Sequence, residues 1–353
     1  MWDAVVIGAG PAGSVAAREL ARRGLAVRLV DKAAFPRPKV CGCCLNRAAL
    51  AALDGVGLGH VPAACGAVPL RAVRVAAGRH SATLRLPGGV ALSRWELDAA
   101  LVGEAVVAGV TFEPNTRLDL NAALASARVV VVASGLGGLP SEPRAASRLG
   151  AGVVAPAAPD FFAPGTIYMA TGRGGYVGLV RLEDGRLDIA AAFDAGFVRT
   201  AGGPGGAAST ILKATRWPLV PGLAGLPWKG TPALTRWPAT IAGKRWFAVG
   251  DAAGYVEPFT GEGMAWAVAS AAAAAPLAAR AAVEWTPALA AEWTRTHARV
   301  VGRRQRVCCV VAGVLRHPVV TGVAVRVLSL FPALSRPVVS LLNRPALPGR
   351  SVA

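Results

Sequence analysis

Two periods of apolar and polar positions alternate along this chain, and the switches between them mark its elements. Ala4–Ile7 is an unbroken apolar run ending at Gly8; an alanine-rich stretch at helical spacing follows; a second apolar run, Ala26–Val30, ends at Asp31. Short apolar runs bounded by turn residues read as strands buried on both faces, so this opening predicts a βαβ unit. A helix is expected from about Arg47. Residues 68–92 alternate and contain turns, which predicts short strands. Ser93 can cap a helix over Ser93–Gly109, with Glu96 completing a capping box. Residues 110–120 read as strand material, and Ala127–Gly138 as a buried parallel-type strand that runs into a glycine turn. Residues 150–235 carry short alternating runs, two of them joined by an Asp184–Gly185 hairpin turn, and predict an antiparallel sheet. Strand–turn–helix returns over Arg245–Ala275. Residues 286–353 read as broken helices, with Arg295, Arg306, Arg316, Arg326 and Arg336 between apolar stretches and prolines at 318, 332 and 337.

The expected fold is therefore α/β: a Rossmann-like dinucleotide-binding domain with an inserted antiparallel-sheet domain and C-terminal helices. The first domain is expected from 1–67, 93–149 and 236–285, the second from 68–92 and 150–235, and the helical region from 286–353.

The dinucleotide part of that expectation rests on Gly8, Gly10 and Gly13. Gly8 permits a tight turn, Gly10 lets the backbone approach a pyrophosphate, and Gly13 lets the helix sit close to the sheet. The pyrophosphate then meets the helix N-terminus, where unpaired N–H groups favour an anion. Asp31, at the end of the second strand, is placed to bond a ribose, which points to FAD or NAD without a 2′-phosphate.

Charge changes the picture little. Lysine and arginine number 38 against 20 acids, a net charge of +18. The basic residues are mostly arginine and scattered, and no nucleic-acid motif accompanies them, so a bias toward arginine codons is the first reading, an anionic membrane surface the second, and nucleic acid is not an expected partner. For the arginine-studded C-terminus, helices packed on the first domain are the simpler reading, with membrane contact the alternative. The chain enters a strand at once, leaving no room for a signal peptide, and Ala265–Ala279 is mostly alanine with Pro276, a buried helix rather than a membrane span. A cytoplasmic protein, peripheral on the membrane at most, is expected. Cys41, Cys43 and Cys44 are clustered without a second ligand group, so no metal site is expected.

A second motif, Ala248–Ala253 followed by Gly261–Met264, gives a strand ending at Gly250 and Asp251 and then a glycine-rich helix start. With the N-terminal fingerprint, this resembles the FAD-dependent oxidoreductases of the para-hydroxybenzoate hydroxylase and geranylgeranyl reductase superfamily. The loop Phe35–Gly42 (FPRPKVCG) is most similar to the geranylgeranyl reductase-like branch. The resemblance implies FAD contacts from Gly8, Gly10, Pro11, Ala12, Gly13, Asp31, Lys32, Lys39, Cys41, Gly42, Arg94, Ala133, Gly135, Gly250, Asp251, Pro258, Gly261, Gly263 and Met264. It places Cys41 beside the flavin as the catalytic candidate and Tyr176 in the substrate pocket. The aromatic Tyr-x-Trp-x-Phe-Pro signature of the reductases and the Trp-x-Trp-x-Ile-Pro motif of flavin halogenases are both missing, which argues against halogenation. No second complete GxGxxG unit is present, so NAD(P)H would bind transiently, or a redox partner protein would supply electrons. The expected activity is reduction or desaturation of an apolar isoprenoid, lipid or polyketide by hydride transfer at flavin N5. A monooxygenase acting through a flavin C4a-hydroperoxide is the alternative, and a non-enzymatic basic membrane-surface protein a distant third.

Overall fold

The computed structural model describes residues 1–257, 259 and 261–343. Its centre is a six-stranded sheet in the order Ala242–Gly243, Trp246–Ala248, Ala127–Val132, Trp2–Ile7, Val27–Val30, Thr111–Glu113. Every pairing is parallel except that of Ala242–Gly243 with its neighbour. Alternate side chains leave opposite faces. Ala4, Val6, Val129 and Val131 pack beneath the helices Pro11–Ala21, Arg94–Val107 and Gly263–Val283, while Val5, Val130 and Val132 pack against Ala123, Ala252 and Ala253. Both faces are covered, which is why these strands are almost purely apolar.

Gly263–Val283 is long and apolar enough to cross a membrane by length and composition. Yet 67% of its most apolar window is buried inside the protein, chiefly against Pro11–Ala21, so it is a core helix. Ser93 caps Arg94–Val107 by accepting from Glu96 N, as its sequence predicts.

A seven-stranded sheet runs in the order Lys229–Ala233, Leu149–Ala155, Leu187–Phe193, Gly175–Arg181, Thr166–Gly172, Ala72–Ala77, His80–Arg85. It is mixed rather than wholly antiparallel, because Thr166–Gly172 lies parallel to Ala72–Ala77. The hairpin 72–85 arrives from a distant part of the chain, and a long connection can deliver a strand in either direction. The outer face of this sheet buries Val177, Leu179, Leu187 and Ile189 against the helix Pro204–Ala214. Its inner face, carrying Met169, Tyr176, Asp188 and Ala192, turns toward the first sheet and the C-terminal helices.

One buried ion network joins these layers. Arg148, only 1% exposed, donates to Glu257 Oε1 at 3.0 Å, Asp194 Oδ1 at 3.2 Å and the Leu315 carbonyl at 3.3 Å. It therefore ties the second sheet, at the start of its strand Leu149–Ala155, to Glu257 beside the second motif and to the C-terminal helices.

Candidate active site

The fingerprint turn is built by close contact. Gly8 has φ +101° and donates its N–H to the Val30 carbonyl at 2.7 Å; a Cβ there would lie 2.5 Å from the Ala133 carbonyl oxygen. A Cβ on Gly13 would lie 1.7 Å from the Gly8 carbonyl oxygen, so only glycine lets helix and turn meet. Gly10 caps the helix in an extended conformation, and Pro11 opens it without sacrificing a needed donor. A Cβ on Gly10 would point at Arg94 Nη2, 3.4 Å away, and Arg37 Nη2, 3.8 Å away. Two guanidinium groups and a helix N-terminus thus converge on one small space, an arrangement suited to a pyrophosphate.

Carboxylates hold those guanidinium groups in place. Asp31 accepts from Ala9 N at 2.9 Å and Ala33 N at 2.9 Å, and pairs with Arg37 at 3.2 Å. Arg37 also approaches Asp98 at 3.6 Å and lies over the Phe35 ring at 4.9 Å. Asp98, fully buried, clasps Arg94 Nε and Nη2 at 2.7 and 2.8 Å. Arg37 Nε is buried with no hydrogen-bond partner, a donor that a bound anion can satisfy. Lys32 is exposed beside Asp31.

The second motif lies directly on the first. Gly250 has φ +60°, and a Cβ there would sit 2.9 Å from the Ala12 Cβ; its N–H donates to Ser270 Oγ at 2.9 Å. The adjoining Asp251 has its carboxyl pushed up by burial, against the pull of Lys39 and Arg94. The Lys39 ammonium lies 3.5 Å from where a Cβ on Gly135 would be, over the turn that follows Ala133. Its side chain reaches solvent in the cleft, but the protein around it lowers its pKa, first by burial and then by the Arg94 charge. Gly261 is left-handed at φ +70°, and the long helix begins at Gly263. Met264 buries its side chain in the main core, which leaves its backbone at the helix start. Pro258 lies outside the described residues. Glu262, with no exposed surface, accepts from Asn46 Nδ2 at 2.7 Å and Trp266 Nε1 at 3.1 Å and pairs with Arg304 at 3.4 Å, pinning the helix start.

The loop 35–42 brings Cys41 to the same centre, with Gly42 exposed beside it. Cys43, at φ +50°, turns its N–H onto Cys41 Sγ at 3.4 Å. The Cys41 thiol is pulled from 9.0 to about 6, chiefly by hydrogen bonding from the Cys43 side chain and then by the Arg94 charge, against burial. Cys43 is pushed up, because its proton serves Cys41 and because it is buried. Across the interface Asp188 descends from the second sheet. Its carboxyl is pushed well up by burial and by the Cys41 charge, against the pull of Cys43, and its Oδ2 is buried without a partner. Gly152 makes the contact possible, since a Cβ there would lie 3.1 Å from Val40 Cγ1. Tyr176 stands on the same inner face, edge-on to Phe259 at 5.0 Å, within an apolar cluster of Met169, Ala192, Leu234 and Leu315.

The structure thus gathers Gly8, Gly10, Gly13, Asp31, Lys39, Cys41, Arg94, Gly135, Gly250 and Asp251 around one cleft. Sequence reasoning weighed Arg37 equally as a residue offsetting phosphate or substrate charge and as a solvated loop residue, and missed Asp98, Asp188 and Glu262. The spacing Arg94-x-x-x-Asp98 was a readable signal for the first clasp, since residues four apart share a helix face.

Residues 1–137 match the FAD binding domain family. A curated relative, menaquinone reductase of Mycobacterium tuberculosis, is 54% identical over 57 residues, 16% of this chain and 14% of that protein's length. Among solved structures, the flavin-dependent brominase Bmp2 is similar with a TM-score of 0.75 and 16% identity, covering 97% of this chain and 93% of its own. The myxobacterial chondrochloren halogenase CndH gives 0.71 at 19% identity, over 87% and 81%. Halogenase PltM in complex with phloroglucinol and FAD gives 0.71 at 16%, over 87% and 76%. At such identities the structural likeness speaks for the fold: an α/β flavoprotein fold with a Rossmann-like FAD-binding domain and C-terminal helices. The cradle fits FAD, with the orphaned Arg37 donor and two guanidinium groups set against the Gly10 backbone where its diphosphate would lie.

Proposed function

We propose that the protein is an FAD-dependent oxidoreductase, geranylgeranyl reductase-like in its chemistry, that reduces a carbon–carbon double bond of an apolar isoprenoid, lipid or polyketide. The observation that carries this reading is the Cys41 thiol held between Arg94 and Cys43 beside the FAD cradle. The short stretch shared with menaquinone reductase supports it, as a relative named for reduction of an isoprenoid quinone.

Bound FAD supplies hydride; NAD(P)H or a partner protein supplies its electrons. Gly10, the helix N-terminus, Arg37 and Arg94 would hold the diphosphate and Asp31 the adenosine ribose, while Asp251, Lys39 and the Gly261–Gly263 helix start would hold the flavin end. Reduction of a double bond also needs a proton at the second carbon. Cys43 Sγ, its thiol pushed up from 9.0, holds a proton, and Cys41 Sγ passes one onward while Arg94 steadies its charge; burial pushes the Asp188 carboxyl beside them up as well. Tyr176, Phe259 and Met169 shield the space above from water.

The test is anaerobic. Reduced protein is mixed with prenylated quinones and polyprenyl alcohols in detergent, and flavin absorbance and product mass are followed. Reoxidation without oxygen, with a product heavier by two hydrogens, is the expected result. Turnover that requires oxygen and adds an oxygen atom would replace this reading with a monooxygenase.

A further inference from the structure

We infer that the face formed by the helix Pro318–Leu330 and the turn after it is a docking surface for an anionic membrane, into which its apolar side chains insert. Three independent features meet there.

The first is exposure. Among the described residues, Val310, Val314, Val319, Val320, Val323, Val327, Leu330, Phe331, Leu334, Val338 and Leu341 are exposed large hydrophobics, whereas residues 1–309 contribute only seven, scattered ones. Single exposed apolar residues need no explanation; a contiguous series does.

The second is geometry. At 100° per residue, Val319, Val320, Val323, Val327 and Leu330 fall within one arc of the helix, and Arg326 falls within the same arc. The opposite arc carries Thr321 and Val325, both buried, with Val325 packed on Ala77, Ala82 and Leu84 of the second sheet. The helix is therefore already seated on the protein by its other side. It turns away from the preceding helical segment by 105°, which lays its outer face across the surface.

The third is charge. From Trp293 to the end of the sequence there is no aspartate or glutamate, while ten arginines occur. Arg303, Arg306, Arg326 and Arg336 are exposed. An apolar strip set among exposed guanidinium groups matches a bilayer interface, where valine and leucine enter the acyl boundary and arginine reaches anionic headgroups. A nucleic acid would use the arginines but leave the valines in water. A second copy of the chain would bring the same cations face to face. Membrane seating would also place the cleft near apolar substrates, although the inference stands on the surface alone and not on the proposed reaction.

The experiment is co-sedimentation of purified, flavin-loaded protein with vesicles of phosphatidylcholine alone or with one third phosphatidylglycerol. The expected result is binding to the anionic vesicles only, weakened by high salt. Val323→Asp/Val327→Asp should weaken binding at least tenfold. Arg326→Ala and Arg336→Ala should each weaken it about fivefold. All four positions are exposed, and equal FAD content and melting temperature would confirm that the variants fold. Wild type that stays in the supernatant with both vesicles overturns the inference. So does a folded Val323→Asp/Val327→Asp protein that binds as wild type does. A wild-type dimer in light scattering that the same double variant converts to monomer, with no vesicle binding, would assign the face to a second copy instead.

Discussion

Single side chains in this protein act through what an added or removed atom would meet. Gly10 is the plainest case, since its missing Cβ keeps open the space between the helix N-terminus and the guanidinium groups of Arg37 and Arg94. Gly10→Val should fold with an unchanged far-ultraviolet dichroism spectrum but purify colourless, because its branched side chain would stand where the diphosphate must lie; protein that stays yellow would refute the cradle. Cys41 makes a prediction in pH. Its folded pKa of about 6 lies below 9.0, so the interactions favouring its thiolate stabilise the fold fully above pH 9.0 and are lost as pH falls through 6. Alkylation of Cys41 by iodoacetamide, followed at its peptide by mass spectrometry, should therefore have its midpoint near pH 6, and Cys41→Ser should keep FAD yet slow turnover. A midpoint at 9.0 would return Cys41 to the status of a packed thiol.

At the scale of elements, the two cofactor motifs cohere because one helix serves both. Gly263–Val283 packs along Pro11–Ala21, and its Ser270 accepts the Gly250 N–H while donating to the Ala267 carbonyl. Ser270 has no exposed surface, so Ser270→Ala would leave the Gly250 N–H buried without a partner. An unsatisfied buried donor costs about 1–3 kcal/mol, and denaturant unfolding of the loaded protein should show a loss of that size. FAD affinity should fall too, since Asp251 sits on the loosened turn. Unchanged stability would mean that water reaches the turn.

For the whole molecule, the decisive contacts are those between the two sheets. Arg148, Glu257, Asp194 and Arg316 join the second sheet, the flavin-side loop and the C-terminal helices. Arg148→Met would leave the buried Glu257 carboxylate only its longer contact, 3.4 Å to Arg316, and removing one partner of a buried ion pair costs up to about 3–5 kcal/mol. Glu257→Gln added to Arg148→Met should recover part of that loss in the same unfolding measurement, because the charge no longer lacks a partner. Full additivity of the two changes would show that the network carries no coupling.

What the sequence by itself determined were the parts whose physics is local. A βαβ turn needs glycine at fixed offsets, a helix start needs its cap, and a strand buried on both faces needs an apolar run; Gly8, Gly13, Ser93 and Ala127–Val132 record those needs in neighbouring letters. Arg94 and Asp98 also stood at a readable helical spacing. Asp188 gave no such signal. In an alternating strand it looks like a solvent-facing position, and only the packing of one sheet over the other buries it beside Cys43. Arg148, Glu257 and Glu262 are likewise single charges whose partners lie far away in the chain. Local stereochemistry wrote the cofactor cradle into the sequence; the tertiary structure alone, by desolvating scattered charges against one another, decided the chemistry around Cys41.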